Sequence, residues 1–410
     1  MSNVKSRGAA PGPRTVLRGH SDIVTALHFL PCATAGAEAE GGDTQQLLLS
    51  ASCDGDIMLW DIGIQRHVLV LSGAHSGSVL SLSSLRHGNK SCVLSSSRDG
   101  TVKVWDLNRV SSGECNNDGY LGFNTTDNGN NNDNNKPLVT LQTDARHFCN
   151  SATFSSPAVA QQAAHTIATP SQEEGEVLLF DMCSAEKTAT IRGPPTRGMV
   201  SAIALSRLGA ESSSTSTSSG SNSGSGGGAC EVVLAGYEDG SLYLYDLRSP
   251  QRELLSTGPL HGSQLMSIDV SPAGTSVITS GADTVVSRIK LDVGVSGNEA
   301  TPAAAAGGGG YVSIALAKTV KSKSAGEEPS SNKTNGISCV RYRGDGKIIV
   351  AGGWDGSVRL FDSKALRPLA VLMHHKDSVY AAEFGGSLFA SGGKDRTIAV
   401  WDVYAESYRK

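Results

Sequence analysis

No stretch of about 18 apolar residues occurs anywhere in the chain, so no segment is long enough to cross a bilayer as a helix. The opening MSNVKSRGAAPGPR is polar and lacks the apolar core of a secretory signal, which predicts an intracellular protein. The eight cysteines form no CxxC pair and are expected as reduced thiols. HExxH, GxSxG, GxxxxGK[ST] and GxGxxG ahead of a helix are all missing, which removes the metalloprotease, serine-hydrolase and nucleotide-binding signals. The runs Gly226 to Gly228 and Gly307 to Gly310 therefore read as linker. Asp127 to Asp133 lacks the sixth-place Gly and the closing Glu of a calcium loop. No catalytic residue, metal or cofactor is expected.

Charge is scarce as well: Asp, Glu, Lys and Arg make up 18% of the residues, and the net charge is −4. That balance offers no basic field to a polyanion, so direct nucleic-acid binding is not expected. Lys318, Lys321 and Lys323 are followed at once by Glu327 and Glu328, and they read as a solvated loop.

What the chain has instead is a recurring closure, an aromatic residue followed by Asp at the end of a short alternating apolar segment. It occurs at Trp60-Asp61, Trp105-Asp106, Phe180-Asp181, Tyr245-Asp246, Phe361-Asp362 and Trp401-Asp402. The first two closures are 45 residues apart and the last two 40 apart, the period of a four-stranded propeller blade. Three blades are also marked at their start by a His four residues before a Val: His20, His75 and His375. Asp-Gly turns such as Asp54-Gly55 and Asp99-Gly100 separate the second and third strands. The prediction is an all-β, seven-bladed WD-repeat propeller. Blade three is degraded, with strands expected at Ala152 to Phe154 and His165 to Ala168. Blade five has Ile289-Lys290 where the aromatic-Asp pair should stand.

Thr15 to Arg18 precede the first Gly-His and have no blade of their own, so they are expected to pair as the outer strand of blade seven and close the ring. The propeller is placed at 14–410, after a disordered 1–13. Flexible inserts are expected near 32–46, 111–135, 208–228, 293–309 and 319–336. The first four fall on one face of the propeller. The face of the Gly-His and Asp-Gly turns keeps short connections, and a binding surface is expected there.

Each marked blade offers a buried relay of the His after Gly, the turn Asp and the closing Trp. These are His20 with Asp54 and Trp60, His75 with Asp99 and Trp105, and His375 with Asp395 and Trp401. His beside Asp also suits acid-base catalysis. A constellation repeated at blade period, however, reads as structure, because buried polar groups must be satisfied. Candidate partner-binding residues are Tyr237, Glu238 and Trp354, expected as exposed groups at the turns of blades four and six. Along the axis, Val24 to Phe29, Val200 to Leu205 and Val379 to Phe384 are largely apolar, with Glu383 read as an isolated carboxylate. An axial enzyme site is not expected from them.

Several segments are more particular than the repeat. Leu234 to Ser241, Ala351 to Asp355, Pro368 to Leu372, Lys394-Asp395 with Trp401 to Tyr404, and Val16 to Gly19 with Val24 to Phe29 resemble the ASTRA-associated protein 1 family, also called guanine nucleotide-binding protein subunit beta-like protein 1. The resemblance implies a non-enzymatic scaffold of the ASTRA complex, linked to chromatin remodelling and to maturation of phosphatidylinositol-3-kinase-related kinases. It implies protein partners, namely ASTRA components and kinase-maturation co-chaperones, for a monomeric propeller within a larger complex. It also implies a nuclear location, with the cytoplasm as a second site. A substrate receptor of a cullin ubiquitin ligase is the alternative within this class, and a propeller enzyme with an axial site the alternative outside it. A G-protein β subunit would begin with a long coiled-coil helix, for which Met1 to Pro13 is too short and too rich in Gly and Pro.

Overall fold

The computed structural model describes residues 12–30, 46–87, 90–106, 136–146, 148–153, 166–208, 230–294, 311–321 and 336–402. Within them the backbone forms 27 strands and a single 3-10 turn at Pro195–Arg197. Blade one is β2 (Val24–Phe29), β3 (Leu47–Ser52), β4 (Ile57–Asp61) and β5 (Arg66–Leu71), paired in that order from inner to outer edge. Blade two is β6 (Val79–His87), β7 (Lys90–Ser97), β8 (Thr101–Asp106) and β9 (Val139–Gln142). A blade packs a neighbour on each face, so its middle strands bury both sides. All five residues of β4 are buried, and they are apolar but for the closing Asp61.

The degraded third blade has three strands, β10 (Thr166–Pro170), β11 (Glu176–Asp181) and β12 (Glu186–Arg192). Among the described residues the expected inner strand at Ala152 to Phe154 shows one bridge, Ala152 to Ala168. The residue before it is tied sideways to blade two: the Ser81 hydroxyl donates to the Ser151 carbonyl at 3.1 Å, and the Ser151 N–H donates to Ser96 at 3.4 Å. Phe154 and His165 lie outside the described residues.

Blade four is β13 (Val200–Leu208), β14 (Cys230–Tyr237), β15 (Leu242–Asp246) and β16 (Ser249–Ser256). Blade five is β17 (Leu265–Val270), β18 (Ser276–Gly281), β19 (Val285–Gly294) and β20 (Tyr311–Lys321). Blade six is β21 (Ile337–Tyr342), β22 (Ile348–Gly353), β23 (Ser357–Asp362) and β24 (Pro368–Met373). The seventh blade joins β25 (Val379–Gly385), β26 (Leu388–Gly393) and β27 (Thr397–Asp402) to β1 (Thr15–Arg18), its outer strand. Thr15 lies opposite Val400 and Arg18 opposite Thr397, so the chain's first strand closes the ring.

The inserts fall almost wholly outside the described residues. At their edges, Leu208 ends β13, Val293 belongs to β19, and Thr319 to Lys321 continue β20, so three inserts begin later than the sequence suggested. Adjacent blades are also clasped at the axis by hydroxyls. Thr25 donates to the Val79 carbonyl at 2.5 Å, and Ser201 to the Leu265 carbonyl at 2.6 Å. Ser338 donates likewise to the carbonyl of Val379.

Candidate functional site

In blades two and seven the marked residues meet around a fourth, a serine that the sequence reading missed. The Trp105 indole N–H donates to Ser95 Oγ at 2.8 Å, and Ser95 Oγ lies 2.7 Å from His75 Nε2. His75 Nδ1 is 3.0 Å from Asp99. The sequence of donors has one consistent direction: the indole N–H to serine, the serine O–H to Nε2, and Nδ1–H to the carboxylate. Blade seven repeats it with Trp401 to Ser391 at 2.9 Å, Ser391 to His375 at 2.8 Å, and His375 to Asp395 at 3.1 Å. Thr101 and Thr397, two residues past each Asp, donate their hydroxyls to it at 2.6 and 2.8 Å. Gly100 allows this turn because its φ of 82° lies in the left-handed region.

Blade one departs from the expected relay. Trp60 and His20 share Ser50 Oγ at 2.7 and 2.6 Å, but His20 Nδ1 is buried without a partner. Asp54 takes the hydroxyls of Ser21, at 2.5 Å, and Ser52 instead. Asp56 stands where blades two and seven carry Thr101 and Thr397, and a second carboxylate cannot donate to the first as those hydroxyls do. Blade five holds a relay the sequence reading did not assign. His261 lies 3.1 Å from Asp283 and 2.9 Å from Thr279, and only the closing Trp is absent. Thr279 in the serine position and the Gly281-Ala282-Asp283 turn were its signal. In blades four and six an arginine takes over from His: Arg197 reaches Asp239 at 2.7 Å and Arg359 reaches Asp355 at 2.5 Å.

Asp99, His75 and Ser95 reproduce the order of a hydrolase triad, yet Ser95 is 0% exposed and its oxygen already receives the indole N–H. No substrate carbonyl can reach it. Desolvation lowers the pKa of His75 and His261, and that of His20 falls to about 4, so these imidazoles are neutral at neutral pH. Among the described residues no group of three or more His, Cys, Asp or Glu is arranged to hold a metal ion.

The partner-binding candidates separate. Tyr237 is 0% exposed, contrary to expectation. Its ring lies in the core between blades three and four with Tyr243 and Tyr245, in space left by Gly193, where a methyl group would overlap the Tyr237 hydroxyl. Glu238 is exposed and accepts the Met199 N–H at 3.1 Å. Trp354 is half-buried, its ring lying over Gly336 and its backbone N–H donating to the Gly336 carbonyl at 2.9 Å.

The axis is charged, which corrects the reading of Glu383 as isolated. In β2, β17 and β25 the first, third and fourth positions are buried and the second and fifth are accessible, and in β13 and β21 the fifth is accessible while the second is buried. The fifth position carries His28, Asp269, Arg341 and Glu383 in blades one, five, six and seven, all at the same register. Asp269 and Arg341 lie on strands left out of the axial reading. Arg341 Nε is 3.4 Å from Glu383, and its Nη1 donates to Ser267 at 3.0 Å. Asp269 accepts the Tyr342 N–H at 2.6 Å. Desolvation pushes Glu383 up to about 7, against the pull of Arg341. His28 Nε2 accepts the Ser84 N–H at 3.1 Å, which fixes the proton on Nδ1, and desolvation lowers its pKa to about 4.

Comparison with known proteins agrees with this anatomy. The "WD domain, G-beta repeat" family matches residues 12–61, 65–106, 328–362 and 366–402, which span β1 to β8 and β21 to β27. The unmatched middle holds β9 and blades three, four and five. Guanine nucleotide-binding protein subunit beta-like protein 1 of Mus musculus is 27% identical over 96% of this chain and 97% of its own. ASTRA-associated protein 1 of Verticillium alfalfae is 26% identical over 98% and 95%, and that of Schizosaccharomyces japonicus 24% identical over 96% and 99%. The repeats are WD repeats, and the resemblance to the ASTRA-associated protein 1 family runs the length of the chain.

Proposed function

We propose that this WD-repeat propeller, similar from end to end to ASTRA-associated protein 1, is a non-enzymatic scaffold that binds other proteins. The observation that carries the reading is the burial of every His-Asp-Ser constellation: the groups able to do acid-base chemistry in the blades are spent on holding the blades together. The name of the fungal relatives supports membership of the ASTRA complex. On that footing the partners are ASTRA components and the co-chaperones that mature phosphatidylinositol-3-kinase-related kinases. The role reaches into chromatin remodelling, and the protein works in the nucleus, with a cytoplasmic share during kinase maturation. Affinity purification of the tagged full chain, followed by mass spectrometry, tests this. Co-purification of those components is expected, and their absence would overturn the specific assignment.

One observation favours an axial enzyme as a second reading. The Glu383 carboxyl is pushed up to about 7, where a general acid or base works best. Its pairing with Arg341 supports a binding role instead. An activity of the purified chain that Glu383→Gln abolishes would establish the enzyme.

A further inference from the structure

We propose that Arg98, Arg146 and Phe148 form a docking patch on the turn face for a partner segment that carries a carboxylate beside an apolar side chain. The proposal rests on the scaffold reading and names the chemistry of one contact. Arg98 belongs to the tight turn between β7 and β8, and Arg146 and Phe148 to the connection that leads from β9 into blade three. Phe148 is 69% exposed, more than any other large apolar side chain among the described residues. The Arg98 guanidinium lies 4.1 Å from the centre of its ring, and Arg98 Nε is 3.5 Å from the Arg146 carbonyl. The connection is held at both ends. The Thr143 and Asp144 N–H groups donate to the Gly100 carbonyl at 2.8 and 3.2 Å, Ala145 and Cys149 are buried, and the Ser151 tie to blade two follows. Arg146 and Phe148 therefore stand outward on an anchored backbone, so little ordering has to accompany binding.

Charge decides what the patch fits. In the next two blades Arg192 pairs with Glu176 and Arg197 with Asp239, whereas neither Arg98 nor Arg146 forms an ion pair with a carboxylate among the described residues. Asp99, next to Arg98, is turned away to His75, the Ser76 N–H and Thr101. An incoming carboxylate gains charge-assisted bonds from guanidinium groups that hold no other anion. An apolar neighbour of that carboxylate covers the part of the Phe148 ring that Arg98 leaves open, and an aromatic flanked by arginines is the composition of an interface anchor. A cationic guest would meet two like charges, and a wholly apolar one would strip water from the guanidinium groups without replacing it. Asp144, exposed on the same connection, favours a single carboxylate over a phosphate dianion, which would bring a second negative charge toward it.

The test uses the full chain and a fluorescein-labelled, amide-capped peptide Gly-Ser-Leu-X-Leu-Ser-Gly, with X glutamate, glutamine or phosphoserine, followed by anisotropy. The glutamate peptide is expected to bind at least about tenfold more tightly than the glutamine one, the scale of a charge-assisted hydrogen bond. Arg98→Gln and Arg146→Gln should each reduce that ratio, and the double variant should remove it. Phe148→Ala should weaken the glutamine peptide as well, because it removes the apolar half of the contact. All three side chains are exposed, so the variants should unfold at the wild-type temperature, which thermal unfolding checks. Equal binding of the glutamate and glutamine peptides, or unchanged affinity in the double variant, overturns the patch. Tighter binding of the phosphoserine peptide than of the glutamate one overturns the carboxylate assignment. Partner recovery keeps the two readings apart. If wild type and the double variant retain the same partners, the patch falls and the scaffold stands. If wild type retains none, the scaffold falls and the peptide titration alone decides the patch.

Discussion

The indole N–H of Trp401 and the Nε2 of His375 converge on one oxygen, Ser391 Oγ, at 2.9 and 2.8 Å. Both groups are buried, so removing that oxygen leaves a donor and an acceptor without partners or water. Ser391→Ala is expected to destabilise the protein by about 2–3 kcal/mol, measured by urea unfolding, although it deletes a single atom. Ser95→Ala in blade two should cost a similar amount.

The open relay of blade one makes a contrast that unfolding can detect. Asp99 accepts from His75, from the Ser76 N–H and from Thr101, so Asp99→Ala strands a buried imidazole N–H and should cost about 2–3 kcal/mol. His20 Nδ1 is without a partner already, and Asp54 bonds only to Ser21, Ser52 and the Asp56 N–H near the surface. Asp54→Ala should therefore cost about 1 kcal/mol or less. Equal losses in the two variants would mean that Asp54 engages His20 in solution.

Two buried groups set opposite pH dependences. His20 and His28 are lowered from 6.5 to about 4, so below pH 6.5 the unfolded chain takes up protons that the folded chain refuses, and stability falls progressively toward pH 4. Glu383, facing Arg341, Asp269 and His28, is raised from 4.5 to about 7. Between those values the folded chain keeps a proton that the unfolded chain releases, so this group's contribution falls as pH rises toward 7. Thermal unfolding from pH 4 to 8 should show a maximum inside the range. Glu383→Gln should flatten the neutral side and steepen the acid side, because the two windows overlap between pH 4.5 and 6.5.

The seven blades were legible because a closing aromatic, a turn and a start signal recur at fixed spacing, and the unpaired Thr15 to Arg18 left β27 as the one edge they could close. The serine at the centre of each relay was not legible as such, since Ser50 and Ser95 stand beside the equally buried Ser52, Ser96 and Ser97, and only the bonds to the Trp indole and the His ring distinguish them. Asp56 was a readable signal passed over, a carboxylate at the position where blades two and seven carry a Thr hydroxyl. Tyr237 misled because its position beside an Asp-Gly turn implies exposure. The space left by Gly193 on the neighbouring blade, visible only in three dimensions, takes its ring inward. The axial charges were hidden by their separation in sequence, for Asp269, Arg341 and Glu383 come together only when three inner strands stand side by side.

Tyr237 allows packing and polarity to be weighed at one position. Its hydroxyl reaches the Gly175 carbonyl and the Tyr245 hydroxyl only at 3.4 Å each, long contacts that contribute little. The ring, by contrast, is wholly enclosed by the core of blades three and four. Tyr237→Phe should therefore change stability by less than about 1 kcal/mol, while Tyr237→Ala opens a cavity in the thinnest part of the ring and should cost about 3–5 kcal/mol. Differential scanning fluorimetry with urea titration measures both. Because the side chain does not reach the surface, Tyr237→Phe should also recover the same partners as wild type in affinity purification. A loss of partners with unchanged stability would put the hydroxyl back on the binding face.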